Sequence, residues 1–193
     1  METGILILAA GSSSRMGQSK QLLKINDRYL LEKIASEALK VSNLVFVVLG
    51  SQMEEHLMVI GQLPVQIVEN KLWKKGMGSS LKAGFATMLS HAPLLERAMI
   101  LVCDKPLLNA AHMEKMIQTS DATGKPIVAS SFAGTSGVPV LFKRPVFEKL
   151  LLLNDEEGAK SLLRELADSV ATVAFPGGEI DLDTPGDYST FTK

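Results

Sequence analysis

The sequence predicts an α/β fold built on a mostly parallel sheet with helices on both faces. Two observations carry this reading. The apolar runs over 5–10, 44–49 and 98–103 lack period-2 alternation, as strands covered on both faces require. Between them lie segments with helical apolar spacing, and an order of strand, helix, strand implies right-handed crossovers onto a parallel sheet.

In chain order, the first run empties into Gly11-Ser12-Ser13-Ser14-Arg15-Met16-Gly17, with Lys20 close behind. Gly11 and Gly17 allow positive φ or a close approach of backbone to ligand, and successive N–H groups in such a loop converge on an anion. With Arg15 and Lys20 at the mouth, the stretch reads as a phosphate-binding loop. The alternative is a glycine- and serine-rich turn with two solvated cations. Neither the Gly-Lys-Ser/Thr ending of a Walker loop nor G-x-G-x-x-G is present.

A helix follows over 29–40, from the stripe Leu30, Leu31, Ile34, Ala35, Ala38 and Leu39. A strand over 44–49, a short helix over 52–60 and a strand over 64–68 come next. The basic approach Trp73-Lys74-Lys75-Gly76-Met77-Gly78 leads to a helix over 79–89. The fourth strand, 98–103, ends in Asp104-Lys105-Pro106; Asn109 caps a helix to about Ser120, and 126–130 is a fifth strand. Beyond a small polar stretch at 131–137 come a short strand at 139–142, helices at 145–153 and 158–166, and a last strand at 170–175. A Pro176-Gly177-Gly178 turn then leads to Asp181-Leu182-Asp183-Thr184-Pro185. No repeat or linker interrupts the pattern, which predicts one domain over 1–193.

An apolar share of 46% and a charged share of 21% are those of a soluble globular protein. A net charge of −1 argues against nucleic acid or a membrane as main partner, so any cationic site is local. One cysteine, Cys103, rules out an internal disulfide or a cysteine zinc site. His56, His91 and His112 lack ligand spacing and read as helix-surface or partly buried residues. No basic leader segment is present and no apolar run reaches the roughly 18 residues of a membrane span, so a cytoplasmic location is expected.

Ligands of open α/β sheets bind beyond the carboxyl ends of the strands. Three polar groups are expected there: the Gly11 loop with Lys20, the stretch from Trp73 to Ser80, and Asp104. A carboxylate ending an apolar strand can coordinate a hard cation, or cap a turn before Pro106. Asp181 and Asp183 alternate with Leu182 and can face one side; Asp183 can instead cap a helix starting at Pro185. Asp104 with Asp183 would suffice for Mg²⁺, which completes its octahedron with phosphate oxygens and water. The chemistry suggested is attack on a nucleoside triphosphate with pyrophosphate departing. Cys103, ending a buried strand, reads as inert core rather than nucleophile.

Together these residues resemble the molybdenum-cofactor nucleotidylyltransferase family, in its cytidylyltransferase-like branch, over nearly the whole chain. The stretch from Leu8 to Gly17, with Lys20, is similar to the family's signature loop. Asn70, Trp73, Gly76-Met77, Ser79-Ser80-Leu81 and Ala83-Gly84 resemble its second motif. Val102-Cys103-Asp104 with Pro106 resembles its metal motif, and Asp181 through Pro185 with Asp187 its C-terminal motif. The resemblance implies a three-layer, Rossmann-like nucleotide-diphospho-sugar transferase fold with one antiparallel strand near the acceptor side. It implies transfer of a nucleoside monophosphate to a phosphorylated pterin-type acceptor, with Mg²⁺ as cofactor. A molybdoenzyme apoprotein is a further implied partner.

By carry-over, Arg15, Lys20 and Asp104 are catalytic, and Asp104 and Asp183 hold the metal. Leu8, Ala9, Ala10, Gly11, Ser12, Ser13, Arg15, Lys20, Asn70, Gly78, Ser79, Ser80 and Cys103 bind nucleotide, while Trp73, Gly137, Val138 and Lys160 bind acceptor. The Ala9-Ala10-Gly11 sequence favours CTP over GTP. Lys105 stands where glutamine is common, Val138 where histidine is usual, and Glu156 and Lys160 where aspartate and arginine are usual. Two other readings follow from these departures: a sugar- or alditol-phosphate acceptor, or a non-catalytic cofactor carrier in which Lys105 competes for the metal position.

Overall fold

Along the first strand, alternate side chains enter two separate cores in the computed structural model, which describes residues 2–192. Ile5, Ile7 and Ala9 pack on one face of the sheet; Leu6, Leu8 and Ala10 pack on the other. Both sets are buried, which is why the run shows no polar alternation.

The chain runs β1 (Thr3–Leu8), β2 (Lys24–Ile25), β3 (Arg28–Tyr29), α1 (Leu30–Leu39), β4 (Val45–Leu49), α2 (Met53–Ile60), β5 (Gln66–Glu69) and α3 (Met77–His91). It continues through β6 (Arg97–Val102), α4 (Ala110–Thr123), β7 (Ile127–Phe132), β8 (Thr135–Lys143), α5 (Phe147–Leu151), α6 (Lys160–Glu165), β9 (Val170–Ala174) and α7 (Pro185–Phe191). The main sheet has the order β5-β4-β1-β6-β8-β7-β9. Every pairing is parallel except those made by β8 with β6 and β7, so β8 is the one antiparallel strand. Helices α1, α2 and α4 contribute Ile34, Ile60 and Met113 to one core; α3, α5 and α6 contribute Leu81, Phe147 and Leu162 to the other. This is the expected three-layer arrangement.

Several local expectations change. The small polar stretch at 131–137 is the tip of a β7–β8 hairpin that turns on Ala133 and Gly134 at φ 44° and 74°. β8 is accordingly nine residues long rather than four. A second hairpin, β2–β3, turns on Asn26 and Asp27 at φ 50° and 64° and was not expected. The helix expected over 145–153 is a 3-10 turn, Arg144–Val146, followed by the short α5. His56 and His112, expected on helix surfaces or partly buried, are buried at 0% and 8% exposure. Among the described residues, no helix is long and apolar enough to cross a membrane.

The sheet positions the site through its connections. From β1 the chain moves outward to β4 and β5, then returns to place β6 on the other flank of β1. That reversal opens a crevice beyond Leu8 and Val102, which are paired neighbours at the strand ends.

Candidate active site

The segments leaving Leu8 and Val102 carry the Gly11 loop and Asp104 into this crevice. Lys20 opens the 3-10 turn Lys20–Leu22. Its ammonium lies 2.8 Å from Asp104 Oδ2 and 3.1 Å from Asp183 Oδ1, while Arg15 reaches Asp183 Oδ2 at 2.8 Å. Burial pulls the Lys20 pKa down, but Asp104, and then Asp183, outweigh it and raise it above the ordinary lysine value. The C-terminal segment is brought here by its backbone, as Leu182 N–H donates to the Asp104 carbonyl at 3.2 Å. Leu182 is fully buried, and its flanking aspartates therefore face the crevice. Asp183 does not cap the last helix. Thr184 does, in a capping box with Asp187, which leaves the Asp183 carboxylate to Lys20 and Arg15.

Two cavities meet at Asp104. The first, about 330 Å³, is lined by Leu8, Ala10, Gly11, Ser12, Lys20, Ser80 and Cys103, together with Trp73 and Met77. The second, about 260 Å³, is lined by Lys105, Phe132, Gly137, Val138, Lys160 and Asp181. Met77, Val102 and Asp104 belong to both. Thus most of the expected nucleotide residues share one chamber, and Gly137, Val138 and Lys160 share the other. Trp73, expected with the acceptor group, stands instead in the chamber of the Gly11 loop.

Other expected residues sit behind the walls. Asn70 is buried; its amide donates to Ser79 Oγ and Ser80 Oγ, and its carbonyl accepts from Leu72 N–H. Gly78 is packed against the backbone of 154–157, where an added Cβ would lie 2.0 Å from the Asn154 carbonyl oxygen. Ala9 is core, Ser13 is tied to Gln21 Oε1, and Arg15 lies at the exposed rim beside Asp183. Gly17 takes the positive φ foreseen for it, at 73°, whereas a Cβ added to Gly11 would meet no atom within 4 Å. Open space above Gly11 leaves its backbone accessible to a ligand.

Lys105 makes a different use of its charge from the one expected. Its ammonium is held by Asp181 Oδ1 at 2.7 Å and by the Gly178 carbonyl, and it lies 4.5 Å from the centre of the Phe132 ring. None of its hydrogen bonds goes to Asp104, so the expected competition for the metal position has no contact behind it. Burial raises the Asp181 pKa, with Lys105 pulling the other way.

A divalent cation fits one feature of the site. Asp104 Oδ1 is buried and has no hydrogen-bond partner among the described residues, although Oδ2 is bound by Lys20. Among the described residues no cluster of three or more His, Cys, Asp or Glu side chains could hold a metal by itself. One carboxylate oxygen supplemented by substrate phosphates suits Mg²⁺. The Cys103 thiol is pushed up by burial, then by Asp104, and stays protonated. Gln21, 1% exposed beneath the Gly11 loop, is not marked by the sequence, where a polar residue in a polar stretch gives no periodic signal.

Residues 5–170 match the model of the MobA-like NTP transferase domain. The chain is similar to the purine catabolism protein PucB of Bacillus subtilis (strain 168), with 30% identity covering 95% of this chain and 92% of that one. It is also similar to the molybdenum cofactor cytidylyltransferase of Escherichia coli (strain K12), with 26% identity covering 96% and 93%. Among solved structures, the Mycobacterium sp. strain JC1 homolog of Mycobacterium tuberculosis rv0371c superposes with a TM-score of 0.82 at 26% identity, covering 98% and 94%. A family match over this span, on a sheet whose switch point carries the Gly11 loop and Asp104, identifies the chain as a nucleotidyltransferase belonging to the MobA-like NTP transferase family.

Proposed function

We propose that this nucleotidyltransferase moves a nucleoside monophosphate from a triphosphate, CTP in preference to GTP, onto the phosphate of a molybdopterin-type acceptor, with Mg²⁺ as cofactor. The observation that carries the reading is Asp104 at the seam of the two cavities, one oxygen held by Lys20 and the other buried without a hydrogen-bond partner among the described residues. The similarity to a molybdenum cofactor cytidylyltransferase over 96% of the chain supports both the base and the acceptor.

In the reaction, an oxygen of the acceptor phosphate bonds to the α-phosphorus, and the bond from that phosphorus to the β-phosphate bridging oxygen breaks. Pyrophosphate leaves with the electron pair. Lys20 and Arg15 supply positive charge where the triphosphate collects negative charge, and the open backbone at Gly11 and Ser12 lets phosphate approach. Lys160 and Val138 line the chamber from which the acceptor would attack. Mg²⁺ held at Asp104, with Asp183 when its cations yield it, would stabilise charge on the phosphorus under attack and on the departing pyrophosphate.

Pyrophosphate release measured with CTP, GTP, ATP and UTP against molybdopterin, sugar phosphates and alditol phosphates tests the reading. Turnover is expected with CTP and molybdopterin. Folded protein that releases pyrophosphate with no pair overturns the activity, and a preference for GTP overturns the base alone.

A further inference from the structure

We propose that Gln21 is a positioning residue that aims the backbone N–H of Ser12 at the bound triphosphate, beside the N–H of Gly11 that Ser51 orients, and that a buried link to His56 fixes this aim. The inference rests on the reading of the site given above and deepens it.

Gln21 spends all four of its hydrogen-bonding positions on the loop. Its amide donates to the Ala9 carbonyl at 2.9 Å and the Gly11 carbonyl at 3.1 Å. Its carbonyl accepts from Ser13 Oγ at 3.1 Å and Ser19 Oγ at 2.9 Å. A trans peptide points its C=O and the following N–H in opposite directions. With the Gly11 carbonyl turned onto Gln21, the Ser12 N–H faces away from it. The Ala10 carbonyl is taken by Ser51 N–H at 3.0 Å, so the Gly11 N–H faces away from Ser51 and its direction is set there rather than by Gln21. Among the described residues neither of these N–H groups has a hydrogen-bond partner within the protein, yet both residues line the chamber that Lys20 enters. Two unpaired amides beside a lysine make a seat for phosphate.

The aim is locked from behind. Because the Ser19 hydroxyl proton goes to Gln21, its oxygen accepts from His56 Nε2–H at 2.8 Å. His56 is fully buried and burial lowers its pKa, so the ring is neutral and the bond to Ser19 places its one proton on Nε2. No other side chain of this size serves. Methionine would fill the space but orphan two carbonyls, and glutamate would present an acceptor where donors are needed.

The test titrates wild type, Q21M and Q21E with CTP and Mg²⁺, alongside thermal unfolding and steady-state kinetics. Both variants are expected to bind CTP about tenfold more weakly and to raise KM for the triphosphate by a similar factor. KM for the acceptor is expected to stay within about twofold, a split that a purely structural role would not produce. Should either variant fail to fold, Ser19→Ala removes one bond to Gln21, with about threefold weakening expected. Variants that lose thermal stability but bind CTP as wild type does overturn the proposal alone. Wild type that binds no triphosphate overturns the functional reading, and this one with it.

Discussion

Lys20 donates to Asp104 and Asp183 at once, and the two carboxylates differ in what their other oxygens do: Arg15 holds one, and none of the described residues holds Asp104 Oδ1. In Asp104→Asn, Lys20 keeps Asp183, so unfolding free energy should change by no more than about 1 kcal/mol. The oxygen that fits the cation is lost, and pyrophosphate release is expected to fall at least about 100-fold; a near-wild-type rate across a Mg²⁺ titration would refute the metal assignment. Asp181 should behave in the opposite way. Neutralising it leaves the Lys105 ammonium, on a side chain only 5% exposed, with the Gly178 carbonyl and the Phe132 ring but no counter-charge, so Asp181→Asn is expected to cost about 1–3 kcal/mol of stability, read from urea denaturation. Asp104 was legible in the sequence because a charge directly after an apolar strand has few places to go. The direction of Lys105 was not legible, since Gly178 and Asp181 are remote in sequence and only the fold brings them to it. Gln21 was hidden for a related reason: loop closure buries it, and closure leaves no period in the sequence.

Helix α3 shows the same limit at the scale of an element. It begins at Met77 with no side-chain cap, two residues before the position that apolar spacing suggests. Its start is fixed from outside, by the Asp155 carbonyl accepting from Ser79 N–H at 3.1 Å and by Lys82 reaching Asp155 at 2.7 Å. A local pattern cannot reveal a helix terminus made by a loop some 75 residues away, whereas β1, β4 and β6, buried on both faces, announced themselves. The docking also explains why Gly78 and Ser79 do not line the first cavity. An alanine in place of Gly78 would gain about 1 kcal/mol of helix propensity, but its Cβ cannot occupy a point 2.0 Å from the Asn154 oxygen. Gly78→Ala is therefore expected to lose about 1–3 kcal/mol net and to displace the loop that leads into Ala159 and Lys160. KM for the acceptor should rise while CTP affinity holds; the reverse split would place the first turn of α3 at the nucleotide.

At the scale of the whole molecule, the two buried histidines belong to helices on the same face of the sheet, and both are neutral in the folded state. Burial, with Lys115 adding to it, lowers the His112 pKa to about 4, and burial lowers that of His56 against the pull of Glu55. His112 stacks on Phe175 at 4.3 Å, and its Nε2–H donates to Ser130 Oγ at 2.8 Å while that hydroxyl donates to the Pro139 carbonyl, so protonation would place charge inside a filled site. The unfolded chain binds these protons near pH 6.5 and the folded one does not, so folding stability is full above that value and falls as pH drops toward 4. His112 alone should remove about 2 kcal/mol between pH 7 and 5. Carboxylates with lowered pKa, Glu37 among them, add their losses only in a more acid range, while Asp181, with its pKa raised, opposes the decline there. Urea denaturation at pH 7, 6 and 5 should therefore show a steady decline that His112→Gln makes shallower by about that amount. A flat profile in the wild type would mean that the two rings take up protons in the folded protein as readily as in the unfolded chain, so that burial does not keep them neutral.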